Sequence, residues 1–138
     1  MKRVLLDTNI ILDVLLNRTK FLESSSAILK YLLKRKYRGF VAATTLTNIN
    51  YIVHKATGKT EEALSAVDKA LEWCEIAPVN RKVLDDARFA NMPDFEDAVQ
   101  AAAAKNYGID TVVTRDKLDF QNSGLQVHSP EEFLAMLE

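Results

Sequence analysis

Apolar residues fall along this chain in two kinds of stretch, short unbroken runs and longer stripes recurring every three or four positions, and the two kinds alternate. Val4, Leu5 and Leu6 are the first run, the pattern of a strand buried on both faces of a parallel sheet. Ile10, Ile11, Val14 and Leu15 follow at helical spacing until Asn17-Arg18-Thr19 interrupts them. A second helix is predicted from Phe21 to about Leu33. Its basic end, Lys34, Arg35, Lys36 and Arg38, leads to Gly39, the order expected at a helix C-terminus. Residues 40–43 read as the second strand. Thr44 or Thr45 can cap the helix after it, in which Leu46, Ile49, Ile52 and Val53 make an apolar stripe and Thr44, Asn48, Tyr51 and Lys55 a polar one. Gly58 ends that helix.

Thr60-Glu61-Glu62 opens another helix, with acids at the favourable end of its dipole and Ala63, Leu64, Val67, Ala70 and Leu71 as its apolar positions. Residues 75–79 make a third strand. Asn80 can cap a helix through Val83, Leu84, Ala87 and Ala90, which Asn91-Met92-Pro93 breaks. Asp94 then starts an alanine-rich helix, Phe95 to Ala104, that stops at Tyr107-Gly108. The β-branched run Thr111 to Thr114 is a fourth strand, and Leu125 to Val127 a short fifth. Ser129-Pro130-Glu131-Glu132 is a capping box with proline at the first helical position, so Phe133, Leu134 and Leu137 belong to a closing helix. Strands alternating with helices predict an α/β fold, a mostly parallel sheet of four to five strands covered on both faces.

Length fits one domain spanning residues 1–138, long enough to bury about two-thirds of its unfolded surface without staples. With 48% hydrophobic and 27% charged residues and no apolar run near the ~20 that a membrane helix needs, a soluble, cytoplasmic protein is expected, with no membrane partner. Cys74, the one cysteine, has no disulfide partner and no metal-ligand spacing, and reads as a small core residue. A net charge of -1 supplies no global field to attract nucleic acid. If phosphate is the substrate, something local must attract it.

The acids offer that something. Asp7 stands where the first strand ends, and in parallel sheets ligands bind beyond the carboxyl ends of the strands. Asp116, with Asp119 behind it, follows the fourth strand to the same edge. Asp94 and Asp97 share one side of a helix's first turn; Asp94 reads first as its N-cap, Asp97 as a ligand carried towards the sheet by the alanines. Two carboxylates ~4 Å apart repel by roughly 4 kcal/mol at an effective dielectric near 20. A fold that gathers three or four of them needs a cation or raised pKa values. Oxygen ligands alone, without Cys or His at zinc spacing, select Mg²⁺ or Mn²⁺.

Asp7-Thr8-Asn9 after a strand, Asp97 opening an alanine-rich helix, and Thr114-Arg115-Asp116-Lys117-Leu118-Asp119-Phe120 after the fourth strand resemble the PIN-domain ribonucleases, particularly the VapC-like toxins of bacterial toxin–antitoxin pairs. The likeness spans nearly the whole chain. It implies a PIN-like three-layer α/β/α fold and an endoribonuclease dependent on Mg²⁺ or Mn²⁺, often a homodimer and neutralised by a small antitoxin protein. By position Asp7, Asp97 and Asp116 are the implied catalytic and metal-binding residues and Asp119 an additional ligand. Thr8, Asn9 and Thr114 are implied to orient the site.

One departure stands out. Where the family usually carries a glutamate on the helix after the second strand, this chain has Asn48, which keeps an oxygen but loses a charge, and the loss should weaken metal binding or move the task to Asp94 or Glu96. A catalytically weakened RNA- or partner-binding module is therefore the alternative to an active nuclease. An aspartyl-phosphate phosphatase is a poorer fit, because Thr8-Asn9 supplies no second acid behind Asp7. Arg115 and Lys117 flank the site and are candidates to contact RNA phosphate. Lys30, Lys34, Arg35, Lys36 and Arg38 read equally well as an RNA landing strip or as a solvated face. His54 reads as a surface residue, His128 as structural, and Phe21, Tyr31, Trp73 and Phe133 as core or dimer packing.

Overall fold

A computed structural model describes residues 2–34 and 37–137; Arg35 and Lys36 of the basic stretch lie outside the described residues. The chain alternates as the sequence predicts. β1 (Arg3–Leu6) is followed by α1 (Thr8–Leu15) and α2 (Leu22–Lys34), and β2 (Arg38–Ala42) by α3 (Ala43–Thr57) and α4 (Thr60–Trp73). After β3 (Glu75–Ala77) come α5 (Arg81–Arg88), α6 (Phe95–Asn106), β4 (Thr111–Val113), a 3-10 turn over Lys117–Phe120, β5 (Gln126–His128) and α7 (Pro130–Met136).

All pairings are parallel and the order is β3-β2-β1-β4-β5. Alternation along the strands sends Val4, Leu6, Val41 and Val113 to one face, where they pack with Ile10, Ile28, Leu32, Ile49, Ala66 and Phe133 from the helices before β3 and from α7. Leu5, Phe40, Ala42, Ala77 and Val112 cover the other face beneath α5 and α6. The sheet is thus the middle of three layers. β2 and β3 extend it on one side of β1, β4 and β5 on the other, so the strand order reverses between β1 and β4. A crevice opens at such a reversal, beyond the carboxyl ends of the strands.

Several local expectations change. Gly39 lies inside β2 rather than past a helix, because a Cβ there would sit 2.9 Å from Leu32 Cδ1 of α2. Close approach of helix to strand is what requires the glycine. Neither Thr44 nor Thr45 caps α3. Ala42 occupies the cap without a side-chain bond, and Thr45 spends its hydroxyl on Thr8 instead. β3 stops at Ala77, one residue before Pro78, whose missing N–H could not continue the ladder. On α4 the buried residues are Ala63, Ala66 and Ala70, while Leu64 and Leu71 are exposed, since the tight α3–α4 hairpin admits only small side chains at its seam. Asn80, Asp94 and Ser129 cap their helices as read, and Gly58 terminates α3 at φ 72°, a left-handed conformation natural to glycine. Cys74 is buried and His54 exposed, also as read. No helix among the described residues is long and apolar enough to cross a membrane.

Candidate active site

β1 and β4 are neighbours, and each delivers its terminal polar residues to the reversal point. Asp7 leaves β1 with its N–H bonded to the Val113 carbonyl of β4, 3.0 Å, so the two strand ends are locked together. Its carboxylate is buried at 3% exposure. Thr114 Oγ1 donates to Asp7 Oδ2 at 2.9 Å and accepts from the Asp116 backbone N–H at 3.0 Å, which ties the residue after β1 to the turn after β4. Asn9, in the first turn of α1, donates through Nδ2 to Asp116 Oδ2 at 3.5 Å. Three residues expected to orient the site, Thr8, Asn9 and Thr114, are therefore all bonded within it.

The residue that binds the cluster together was not singled out in the sequence. Gln100 of α6 is completely buried. Its Oε1 accepts the Thr8 N–H at 3.2 Å, and this fixes which way the amide faces. Nε2 then donates to Asp7 Oδ1 at 3.3 Å and to Asp97 Oδ1 at 3.4 Å. One side chain thus bridges the acid at a strand end and the acid on a helix. The available signal was its place three residues after Asp97, one helical turn along the same face, alone among alanines.

Asp94 does what its bland reading said: Oδ1 accepts the Asp97 N–H at 2.9 Å as an N-cap. Asp97 is half-buried, Asp116 less than half-exposed, and Asp119 lies on the open side of the 3-10 turn. The Asn48 amide lies near enough to Glu96 to favour its charged form. The amide in the position of the missing glutamate thus faces a carboxylate that α6 supplies.

Burial pushes the Asp7 carboxyl above its ordinary range, with Asp116 adding to the rise and the bonds from Thr114 and Gln100 opposing it. Asp97 is pushed up to about 7, by burial first and then by Asp7, Asp94, Asp119 and Glu96. Glu96 is raised by burial and by Asp94 and Asp7, against the effect of the Asn48 amide. These acids feel one another without touching. Among the described residues no three acidic, histidine or cysteine side chains already stand close enough to hold an ion. The donor set is nevertheless oxygen only, and its mutual repulsion is the kind a hard divalent cation relieves, so Mg²⁺ or Mn²⁺ fits its chemistry.

The expected RNA contacts divide. Arg115 lies beside Asp116, Nη1 to Oδ1 3.7 Å, whereas Lys117 is drawn towards α7 by Glu132 at 2.9 Å. Lys34 and Arg38 sit at the amino end of β2, the edge away from the acids, with Arg38 paired to Glu75 at 3.0 Å. Phe21 is partly buried and carries the Arg115 guanidinium on its ring at 3.8 Å.

Comparison with known proteins places the chain in a family. The family described as PIN domain matches residues 3–118. Ribonuclease VapC1 of Aquifex aeolicus is 26% identical over 137 residues, covering 96% of this chain and 93% of that protein. Among solved structures, VapBC2 from Rickettsia felis bound to a DNA fragment from its promoter superposes with a TM-score of 0.71 at 21% identity, over 92% of this chain and 98% of the other. A toxin–antitoxin complex from Klebsiella pneumoniae does so with a TM-score of 0.65 at 17% identity, over 92% and 97% of the two chains. At such identities the structures show a shared fold. Since the family match runs from the first strand through the turn that carries Asp116, this chain belongs to the PIN-domain family.

Proposed function

We propose that the chain is a Mg²⁺- or Mn²⁺-dependent endoribonuclease, the toxin of a toxin–antitoxin pair, with residues 1–138 acting as one PIN-like unit in the cytoplasm. The observation that carries this reading is the bridging of Asp7 and Asp97 by Gln100 at the crevice where Thr114 and Asp116 arrive from β4. Asp7, Asp97 and Asp116 hold the cation, with Asp119 as a further ligand on the open side. The bound ion supplies a Lewis acid for the phosphoryl oxygen and lowers the pKa of a water. The chain's own part is to keep the carboxylates aimed: Thr114 and Gln100 each fix one oxygen of Asp7, and Asn9 steadies Asp116. Arg115 approaches the RNA backbone at the rim, while Lys117 is paired with Glu132. No covalent intermediate is needed, because no Ser or Cys stands beside a base in this crevice.

The naming of the Aquifex aeolicus relative as a ribonuclease supports an RNA substrate, and the Klebsiella pneumoniae complex supports a small antitoxin partner. A homodimer is part of the same reading. Asn48 favours one rival, a module that binds RNA or a partner without cutting. The nearness of Glu96 to Asn48 weighs against it, since it brings a carboxylate to the place where the glutamate is missing. RNA incubated with the protein and Mn²⁺ should be cut, and both EDTA and Asp7→Asn should abolish cutting. RNA that stays intact under every condition while still being bound would select the rival.

A further inference from the structure

Beside the acid cluster, on the α1 side, another aspartate is buried that the reaction does not use. Asp13 has no exposed surface, and its one carboxylate serves two arginines. Arg18 Nη1 donates to Oδ1 at 3.3 Å; Arg115 grips both oxygens, Nε to Oδ2 at 3.2 Å and Nη2 to Oδ1 at 3.4 Å; Ser25 Oγ adds a bond to Oδ2 at 2.9 Å. A buried carboxylate needs one cation to offset its desolvation. The second is in excess, and the side chains of Arg18 and Arg115 keep 31% and 22% of their surface open while Asp13 keeps none.

Both guanidiniums are also tied to the catalytic edge. Arg18 Nη1 donates to Asn9 Oδ1 at 3.0 Å, and Asn9 in turn donates to Asp116. Arg115 is clamped flat between Asp13 and the Phe21 ring, with Nη1 left facing Asp116. Among the described residues the side-chain bonds of Arg18 all leave from Nη1, so its Nη2 and Nε remain available for an acceptor from outside. Preset, half-desolvated guanidiniums suit phosphate oxygens, because the fork geometry is fixed before the ligand arrives.

We infer that Arg18 and Arg115 form a phosphate-binding subsite for the RNA backbone, next to the position where the strand is cut, and that Asp13 is the positioning residue that presents them. This rests on the nuclease reading for its ligand. It also answers how an acidic edge on a chain of net charge -1 receives a polyanion: a local cationic pair is held in place by a carboxylate hidden from the substrate.

The test uses the full chain and a fluorescein-labelled single-stranded RNA 20-mer of mixed sequence, with Asp7→Asn to keep it uncut. Arg18→Gln and Arg115→Gln should each weaken binding about tenfold and flatten the slope of log K against log salt by about 0.7, the value for one phosphate on a single strand. In the cutting-competent chain Arg18→Gln should raise KM more than it lowers kcat, and Arg18→Lys should restore the salt slope. Asp13→Asn discriminates further. Bulk electrostatics predicts tighter binding when a negative charge is removed, whereas release of both arginines predicts weaker binding. Should that variant fail to fold, the arginine variants carry the test alone.

Unchanged affinity and slope in both arginine variants, with the parent chain still cutting RNA, would overturn the subsite and leave the nuclease intact. RNA bound with the arginine-dependent slope but never cut would uphold the subsite and remove the nuclease. Neither binding nor cutting would overturn both.

Discussion

At the amino end of the sheet Arg3 lies over the adjoining rings of Phe40 and Tyr107, 5.6 and 5.2 Å from their centroids, and borders a cavity of about 400 Å³ with Lys2, Tyr37, Asp110 and Gln126. At the carboxyl end Asp7, Thr8, Thr114 and Gln100 are buried, and the acids there push one another's pKa values up. Charge at the amino end is partly solvated and matched to rings and nearby groups, so it stabilises the fold or leaves it unaffected. Charge at the carboxyl end is desolvated and crowded by its own kind, which costs stability and is retained only if something outside the chain relieves it. A surplus of unrelieved like charge is what distinguishes the carboxyl edge from the amino edge.

Replacing Asp7 with Asn should break this contrast most sharply. Asparagine keeps the volume and an oxygen for Thr114 and Gln100 but removes a charge whose ionisation burial opposes. RNA cutting with Mn²⁺ is expected to fall by at least about 100-fold, as for loss of a group acting in the transition state, while the metal-free melting temperature rises. A variant that cut normally, or melted well below the parent, would contradict the assignment of strain to this edge.

Gln100→Leu comes next. Leucine fits the buried site but donates nothing to Asp7 or Asp97 and leaves the Thr8 N–H without its acceptor. Groups that hold metal ligands in place are worth about 10–100-fold in affinity, so Mn²⁺ titration followed by calorimetry should show a loss in that range. An unaltered Mn²⁺ affinity would make Gln100 a packing residue only.

Asn48→Glu probes the departure from the family at smaller scale. It adds a carboxylate where Asn48 now faces Glu96, so the metal-free protein should become less stable while the Mn²⁺ concentration needed for half-maximal cutting falls several-fold. If that concentration stayed the same, Glu96 already supplies what the missing glutamate would.

The layout of this edge was partly legible in the chain itself, and the illegible part has a physical explanation. Asp7 and Asp116 could be located because a strand buried on both faces must be an unbroken apolar run, so its polar neighbour marks the strand end. Asp94 could be read as a cap because capping is local, spanning three residues. Gln100 and Asp13 could not be assigned, since partners lie 92 and 93 positions away for Gln100 and 102 for the pair of Asp13 with Arg115. A polar residue on a helix reads as solvent-facing until its distant partner is known. The α4 stripe failed for a related reason: hydrophobicity selects Leu64 and Leu71, but distance between helices selects Ala63, Ala66 and Ala70.

The pH dependence of stability sharpens the comparison from another side. Asp97 titrates near 4 in an unfolded chain and at about 7 in the fold, so between those values the native state binds the proton more tightly than the unfolded state. Metal-free stability contributed by this group must therefore fall as pH rises through that window and level off above it. Asp7 and Glu96, raised for similar reasons, act in the same direction. Melting in EDTA should give a lower temperature at pH 7.5 than at pH 5, relative to Asp97→Asn, and Mn²⁺ should stabilise more at pH 7.5. A difference between parent and variant that stayed flat across this range would mean the acids are not crowded in solution.

The smallest effect is expected at the other end. Arg3→Gln removes two ring contacts, each worth about 0.5–1 kcal/mol at a partly exposed site, together with a 3.5 Å bond from Nη2 to the Gly108 carbonyl. A melting shift of a few degrees is expected, with no change in Mn²⁺ affinity or cutting. This near-silent variant is informative because Arg3 and Asp7 are joined by a single four-residue strand. If charge at the amino end tuned the acids through β1, Mn²⁺ affinity would change along with stability. If the two ends are independent, as bonds that close locally around each of them imply, stability alone will move.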